Sequence, residues 1–145
     1  MGTTIVVLGM HRSGTSCVTR MLNHCGLDLG SNVLDTASVS NMAGKWEARP
    51  AVEINDALLN ASGGSWDNPP AEIMPDEAAL AQMREFLATL ASSPVSGWKD
   101  PRTVLTFPHW KSSLNEYRIV ACLRHPRSVA ESLAKREGWS LERGL

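Results

Sequence analysis

Residues 5–25 read IVVLGMHRSGTSCVTRMLNHC, and they predict a strand, a glycine-containing loop and a helix in succession. The β-branched and aliphatic run Ile5–Leu8 is typical of a buried strand, and it stops at Gly9. Apolar residues then recur at helical spacing, as in a helix that packs on a sheet. These apolar residues are Cys17, Val18, Met21, Leu22 and Cys25. We therefore expect the loop to lie at the N-terminus of a helix.

The loop Gly9–Gly14 has the features of a binding site for a phosphate or sulfate group. The first turn of a helix carries backbone N–H groups without intrahelical partners and the positive end of the helix dipole, and both attract anions. Glycines let the backbone approach the anion, and nearby hydroxyls add donors. These hydroxyls belong to Ser13, Thr15 and Ser16. For the loop alone, a tight turn without a ligand remains the alternative.

The glycine spacing is similar to that of a P-loop, GxxxxGKS/T, but the lysine is absent. Gly9 and Gly14 match the pattern, Thr15 stands at the lysine position, and the nearest cation is Arg12. In nucleotide triphosphatases that lysine reaches the outer phosphates and the next hydroxyl holds magnesium. The loop therefore predicts an anion site without identifying its ligand.

Length, charge and hydropathy favour one soluble domain. The chain has 145 residues, and we expect residues 1–145 to form a single domain. A net charge of −1 argues against binding to nucleic acid, because nucleic-acid-binding proteins usually carry a broad basic excess. No run approaches the roughly 20 apolar residues of a membrane span and no signal peptide is evident, so a cytoplasmic protein is expected. Cys17, Cys25 and Cys122 lack metal-ligand spacing and are expected in the core.

The rest of the chain predicts further helices and a second strand-to-helix unit. The expected elements are a long loop over Leu27–Gly44, helices within Pro50–Leu59, Asp76–Ala91 and Thr103–Leu114, strands at Val95–Lys99 and Tyr117–Leu123, and a helix from Pro126. Pro108 is expected to end or kink its helix. Tyr117–Leu123 is as apolar as a central parallel strand. These elements indicate an α/β fold with a parallel sheet flanked by helices.

In such sheets, ligands bind beyond the carboxyl ends of the strands. Gly9, Lys99 and Arg124 each end or follow a predicted strand, so we expect them to converge on one crevice. Ser132 follows Arg124 by eight residues and shares a helix face with Ser128. An arginine fork and a helix hydroxyl can hold one phosphate between them. An exposed arginine beside serines with no ligand is the alternative.

The two anion motifs together resemble those of the sulfotransferases that use 3′-phosphoadenylyl sulfate (PAPS). His11–Ser16, HRSGTS, matches the family's loop of the type PKSGTT, which binds the 5′-phosphosulfate. Arg124, Pro126 and Ser132 match a pattern like RNPxDxxxS, whose arginine and serine bind the 3′-phosphate. The motifs occur in the order that the family shows.

The bacterial-type branch of this family adds two further matches. Gly97–Arg102, GWKDPR, looks like its KDPR segment, and Lys45–Glu47, KWE, looks like its aromatic-Glu segment. The resemblance covers most of the chain, from about Ile5 to Trp139. Members usually continue well beyond the helix that follows the 3′-phosphate motif. The resemblance therefore implies that residues 1–145 are the front part of a longer P-loop-like domain.

The resemblance implies transfer of a sulfuryl group from PAPS to a hydroxyl or amine, with adenosine 3′,5′-bisphosphate (PAP) as product and no metal. Catalysis would depend on positioning and on neutralising charge. The implied catalytic residues are Arg12 and the general base Glu47. The implied cofactor-binding residues are His11, Arg12, Ser13, Gly14, Thr15, Ser16, Arg124 and Ser132.

Some nearby residues have two interpretations. His109 and His11 are weaker candidates for the general base, and His11 also suits a donor to the anion. Lys99 and Arg102 either contact the donor or acceptor, or form a structural ion-pair network with Asp100.

The acceptor and two alternative functions are left open. Trp46 and Trp66 either stack on a sugar or lipid-linked acceptor, or pack in the fold. A P-loop nucleotide or small-molecule kinase is one alternative, and it predicts magnesium-dependent affinity for ATP. A non-catalytic relative that only binds the nucleotide is the other. The expected partners are thus a small-molecule nucleotide and an acceptor, with no nucleic acid and an open oligomeric state.

Overall fold

The computed structural model of the chain describes residues 2–34 and 44–145, which form a small parallel sheet flanked by helices. In chain order the elements are β1 (Thr3–Leu8), α1 (Thr15–His24), β2 (Val33–Leu34), β3 (Glu47–Ala48), α2 (Arg49–Ala61), α3 (Glu77–Leu90), β4 (Val95–Lys99), α4 (Thr103–Lys111), β5 (Tyr117–Ala121), α5 (Pro126–Glu137) and α6 (Leu141–Gly144). Among these helices, none is long and apolar enough to cross a bilayer.

The main sheet has three parallel strands in the order β4-β1-β5. β1 lies in the centre, with Val7 opposite Lys99 of β4 and Leu8 opposite Ala121 of β5. The coarse α/β architecture expected from the sequence is therefore confirmed. Because the carboxyl ends of the three strands lie side by side, the loops that follow them share one edge of the sheet.

A second, two-stranded sheet is not predicted by the sequence. β2 pairs antiparallel with β3, with Val33 opposite Ala48. The sequence predicts a single long loop over Leu27–Gly44, of which residues 35–43 lie outside the described part of the chain. Strands of two residues are too short to show an alternating pattern, so sequence periodicity does not reveal them.

The two edges of the main sheet differ. Asp28 covers the β4 edge: its N–H donates to the Val95 carbonyl at 3.1 Å, and its carbonyl accepts from the Gly97 N–H at 2.9 Å. No described strand pairs with the outer edge of β5, and Ile119 in its middle is 45% exposed. The prediction that Tyr117–Leu123 is a buried central strand is therefore wrong, because β1 takes the centre and β5 has one neighbour among the described strands.

The hydrophobic core lies between the sheet and helices α2, α3 and α4. Trp98 of β4 and Trp110 of α4 are fully buried. Phe86 of α3 meets both indole rings edge-on, with centroid distances of 5.9 Å. Because Lys99 directly follows Trp98, this core anchors the strand end from which Lys99 projects.

Helix α1 buries threonines and leaves much of its predicted apolar stripe exposed. Thr15 and Thr19 are buried, and the Thr19 hydroxyl donates to the Thr15 carbonyl at 2.7 Å. Cys17 and Cys25 are exposed, so the expectation that they lie in the core is wrong, whereas Cys122 is buried as expected. The sequence places the stripe on one face of the helix, but the face through Thr15 and Thr19 is the one that is buried.

Helix α4 continues through Pro108 to Lys111, so of the two expected outcomes, an end or a kink at this proline, the end does not occur. Pro108 has no N–H to donate to the carbonyl of Val104. A contact with another helix stabilises the final turn: the Trp110 indole N–H donates to the side-chain oxygen of Asn55 in α2 at 2.8 Å.

Candidate functional site

A cavity of about 400 Å³ opens at the carboxyl ends of β1 and β4, and we call it the strand-end cavity. It is lined by His11, Arg12, Thr15, Ser16, Lys45, Glu47, Trp66, Lys99, Pro101, Arg102, Arg136 and Glu137. Lysine and arginine supply five of these residues and carboxylates supply two. The volume is within the range of small-molecule sites, and the excess of cations favours an anionic ligand.

The loop between β1 and α1 requires glycine at two positions. A Cβ on Gly9 would lie 2.7 Å from Ser13 Oγ and 2.8 Å from the carbonyl oxygen of Cys122, which is closer than real contacts. Gly14, the N-cap of α1, has a φ of 97°, which favours glycine. The Ser13 N–H donates to the Met10 carbonyl at 3.1 Å. The loop is thus a tight turn that brings the first residues of α1 to the cavity.

Two non-glycine residues beside the cavity have a left-handed backbone. Arg12 has a φ of 67° and Trp46 a φ of 56°. This conformation costs roughly 1–2 kcal/mol for a residue with a Cβ. Arg12 lines the cavity, and Trp46 precedes Glu47, which also lines it. Backbone strain of this kind clusters at functional sites, so its location supports a functional role for the cavity.

The two anion motifs meet at Arg12. The Arg12 Nε donates to Ser132 Oγ at 2.8 Å, and the Arg124 Nη1 donates to the Arg12 carbonyl at 2.9 Å. Arg124 and Ser132 do not line the cavity itself and reach it through Arg12. Burial, followed by the charges of Arg136 and Arg124, lowers the pKa of Arg12. An anion bound here would relieve this repulsion between guanidinium groups.

A buried ion pair joins β4 to β3 inside the cavity. The Nζ of Lys99 lies 3.1 Å from Oε1 of Glu47 and also donates to Ser16 Oγ at 3.3 Å. The Ser16 hydroxyl in turn donates to the Lys45 carbonyl at 2.7 Å. Burial lowers the pKa of Lys99, and the carboxylate of Glu47 opposes that shift. Lys99 of β4 therefore lies beside the β1–α1 loop, whose own sequence lacks the lysine of the P-loop pattern.

Arg102 forms an ion pair with Asp100, which is one of the two interpretations that the sequence leaves open for Lys99 and Arg102, whereas Lys99 pairs with Glu47. Asp100 is fully buried, accepts from Asn55 Nδ2 at 2.7 Å and pairs with Arg102 at 2.8 Å. Arg102 also pairs with Asp56 at 2.5 Å. Burial raises the pKa of Asp100, and the charge of Arg102 opposes that rise. Arg102 lines the cavity as well, so this network fixes one of its walls.

His11 is buried in the cavity wall with only 8% exposure. Its ring lies 4.3 Å from that of Trp66, which stacks on Trp139 at 5.6 Å. Burial, followed by the charges of Arg102 and Arg136, lowers the pKa of His11 from 6.5 to about 3. The imidazole is therefore neutral at neutral pH, and its Nε2 has no hydrogen-bond partner among the described residues. Trp66 therefore contacts His11 and Trp139, and it also lines the cavity.

The structure adds Arg136 and Lys45 to the predicted site residues. The guanidinium of Arg136 lies 5.5 Å from the centre of the Trp66 ring and pairs with Glu137. The sequence contains a signal for Arg136, because it stands four residues after Ser132 and so on the same helix face.

Some predicted residues are not part of the cavity lining. Ser13 and Gly14 shape the loop, and Trp46 lies next to the cavity. His109 lies in α4 and does not line the cavity, whereas Glu47 and His11 do. Of the three predicted candidates for the general base, Glu47 and His11 therefore lie at the cavity.

Comparison with known proteins gives no relative for this chain: no family model, no curated protein and no solved structure matches it. Across residues 2–34 and 44–145, no three His, Cys, Asp or Glu side chains are grouped so that they could hold a metal ion.

Proposed function

We propose that this protein transfers a sulfuryl group from PAPS to a hydroxyl or amine of an acceptor. The observation that carries the proposal is the direct contact between the two anion motifs. Arg12 donates to Ser132, and Arg124 donates to the carbonyl of Arg12. A nucleotide with phosphates on the 5′ and 3′ oxygens of one ribose needs two neighbouring anion pockets, and this contact supports that arrangement.

The donor is assigned to the site as follows. Its 5′-phosphosulfate lies in the strand-end cavity, on the backbone N–H groups at the start of α1. Arg12 and Lys99 supply positive charge there. Its 3′-phosphate binds to Arg124 and Ser132, where an arginine fork and a hydroxyl give charge-assisted hydrogen bonds.

The reaction is an in-line displacement at sulfur. The acceptor oxygen or nitrogen forms a bond to sulfur while the bond from sulfur to the 5′-phosphate oxygen breaks, and the electron pair leaves with adenosine 3′,5′-bisphosphate. Arg12 and Lys99 stabilise the charge on the leaving and equatorial oxygens. The acceptor proton passes to Glu47, whose carboxylate is held 3.1 Å from Lys99.

Binding of two nucleotides tests the second anion pocket. We expect the protein to bind adenosine 3′,5′-bisphosphate more tightly than adenosine 5′-monophosphate, as measured by calorimetry. Arg124→Ala should reduce this preference by roughly 5- to 150-fold, because a charge-assisted contact is worth about 1–3 kcal/mol. Arg118→Ala is the matched control, since it removes an exposed arginine of β5, the strand that Arg124 follows. An unchanged preference in Arg124→Ala contradicts the assignment of the 3′-phosphate.

Transfer itself is measured with PAPS carrying radioactive sulfur and a panel of hydroxyl and amine acceptors. Arg12→Ala should abolish transfer. Glu47→Gln should retain nucleotide binding and slow transfer by about 10²- to 10⁴-fold, the usual contribution of a general base. Normal transfer by Glu47→Gln would exclude Glu47 as the base.

Phosphoryl transfer from ATP is a second candidate, favoured by the position of Lys99 Nζ 3.3 Å from Ser16 Oγ. A lysine beside a P-loop hydroxyl serves the outer phosphates in nucleotide triphosphatases. This candidate predicts ATP binding that strengthens with magnesium, and titration of ATP with and without magnesium separates the two functions. Bisphosphate binding without transfer to any acceptor would identify a non-catalytic nucleotide-binding protein.

A further inference from the structure

A second and larger cavity lies between α2, α3 and residues 28–32. Its volume is about 920 Å³. α2 contributes Glu53, Ile54 and Ala57, and α3 contributes Glu85 and Phe86. We call it the α2/α3 cavity. Among the described residues, none lines both the α2/α3 cavity and the strand-end cavity.

The floor of the α2/α3 cavity is apolar and well packed. Ile54, Phe86 and Leu90 line it, and each belongs to the hydrophobic core with less than 8% exposure. Phe86 is fixed by its edge-on contacts with Trp98 and Trp110. A ligand in this cavity would therefore meet an apolar surface of fixed shape.

The charged groups of the α2/α3 cavity are all carboxylates. Asp28, Glu53 and Glu85 line it, and no Lys, Arg or His is among the described lining residues. Asp28 is held in place by hydrogen bonds from Gly30 N–H at 2.8 Å and from the Ser93 hydroxyl. Glu53 and Glu85 are exposed on facing helices and form no ion pair with a described residue.

The two cavities lie on opposite faces of β3. Successive residues of a strand point to opposite faces, and Glu47 lines the strand-end cavity whereas Ala48 lines the α2/α3 cavity. The strand-end cavity has an excess of cations, and the α2/α3 cavity has carboxylates alone. Because the charged groups of the two cavities are mostly of opposite sign, we expect the two cavities to bind different ligands.

We propose that the α2/α3 cavity binds a small organic cation, in which a protonated amine is attached to an aromatic or aliphatic body. The apolar body packs on Ile54, Phe86 and Leu90, and the ammonium group lies between the carboxylates of Glu53 and Glu85 and that of Asp28. This site is independent of sulfuryl transfer and of the nucleotide.

Three probes of similar size test the proposal in calorimetric or NMR titrations at neutral pH and low salt. They are 4-phenylbutylamine, 4-phenylbutanol and 4-phenylbutanoate, which share a phenylalkyl body and end in an ammonium, a hydroxyl and a carboxylate group. We expect the amine to bind at least about tenfold more tightly than the carboxylate, with the alcohol between them, because carboxylates attract the ammonium and repel the anion. Equal binding of the three probes, or no binding of any, overturns the proposal.

Two sets of variants locate the binding. The double variant Glu53→Gln and Glu85→Gln should remove most of the advantage of the amine over the alcohol, whereas Glu77→Gln, elsewhere on α3, should preserve it. Ala57→Trp fills the cavity and should abolish binding of the amine and the alcohol. Ala88→Trp places the same side chain on an exposed position of α3 outside the lining and should preserve binding.

Titration with adenosine 3′,5′-bisphosphate in the same variants separates this inference from the proposed function. Ala57→Trp should bind the bisphosphate as the wild-type chain does, because the nucleotide is assigned to the other side of β3. Loss of amine binding with retained bisphosphate binding supports two sites, whereas retention of amine binding in Ala57→Trp places the amine elsewhere and overturns the inference.

Discussion

His11 makes the stability of the protein depend on pH. Its pKa is about 3 in the folded protein against 6.5 as the ordinary value. Between these values the unfolded chain binds more protons than the folded one, so the contribution of neutral His11 is present above pH 6.5 and is lost as the pH falls toward 3. We expect His11 to lower the free energy of unfolding by about 2 kcal/mol between pH 7 and pH 5.

Urea unfolding at these two pH values measures this effect. His11→Phe keeps a ring against Trp66 and should remove this part of the pH dependence. His24→Phe is the matched control, because it changes an exposed histidine of α1 and leaves His11 in place. The same pH dependence in the wild-type chain and in His11→Phe would contradict a neutral, buried His11.

The sequence predicts that Gly9, Lys99 and Arg124 converge at one edge of the sheet, because each ends or follows a predicted parallel strand. It does not choose between the two interpretations of Arg102, a contact with a ligand or an ion pair with Asp100. That choice depends on Asn55, which lies 45 residues before Asp100 and donates to it. A contact over that separation leaves no periodic pattern in the sequence.

Asn55 connects helix α2 to helix α4 and to the end of β4. Its amide nitrogen donates to Asp100 at 2.7 Å and to Thr103 at 3.0 Å. Its amide oxygen accepts from Thr106 at 2.7 Å and from Trp110 at 2.8 Å. Because all these groups are buried, removing the amide leaves several of them without a hydrogen-bond partner.

We expect Asn55→Leu to lower the free energy of unfolding by at least about 3 kcal/mol, since each buried polar group left unpaired costs about 1–3 kcal/mol. Asn60→Leu makes the same change at an exposed position of the same helix and should stay within about 0.5 kcal/mol of the wild type. Chemical denaturation measures both. Similar losses in the two variants would show that the network does not stabilise the packing of α2 on α4.

Sequence periodicity predicts where helices and strands lie in the chain better than it predicts which elements pack beside them. Asp76–Ala91 is found as α3 over Glu77–Leu90, and Val95–Lys99 is found as β4. The helix does not end at Pro108, and Tyr117–Leu123 is not a central strand, because each outcome depends on a neighbour. Asn55 accepts a hydrogen bond from Trp110 in the turn after the proline, and β1 takes the central place in the sheet. The sequence of a single segment does not indicate which distant residues it will contact in the fold.

The difference between the two edges of the main sheet affects the tendency of the whole molecule to self-associate. Asp28 covers the β4 edge, whereas β5 presents Ile119 at 45% exposure and has no described strand on its outer side. Exposed apolar edge strands promote pairing between molecules, and a lysine there prevents it. We therefore expect the isolated chain to self-associate as its concentration rises, and Ile119→Lys to reduce this association.

Sedimentation velocity over a range of concentrations measures the association. Val104→Lys is the matched control, because Val104 in α4 is 46% exposed and undergoes the same change from apolar to lysine away from the strand edge. If both variants reduce association equally, general surface hydropathy and not the β5 edge is responsible.

The position of β1 in the middle of the sheet also has a consequence during synthesis on the ribosome. Arg12 is made early, but Lys99 ends β4 and Arg124 follows β5, the strands on either side of β1, and both residues are translated much later. Parallel strands pair only after the chain between them has been made, since their connections are long. A nascent chain therefore has no assembled strand-end cavity until the residues through α5 have left the exit tunnel, and a ligand of this cavity can assist folding only after that point.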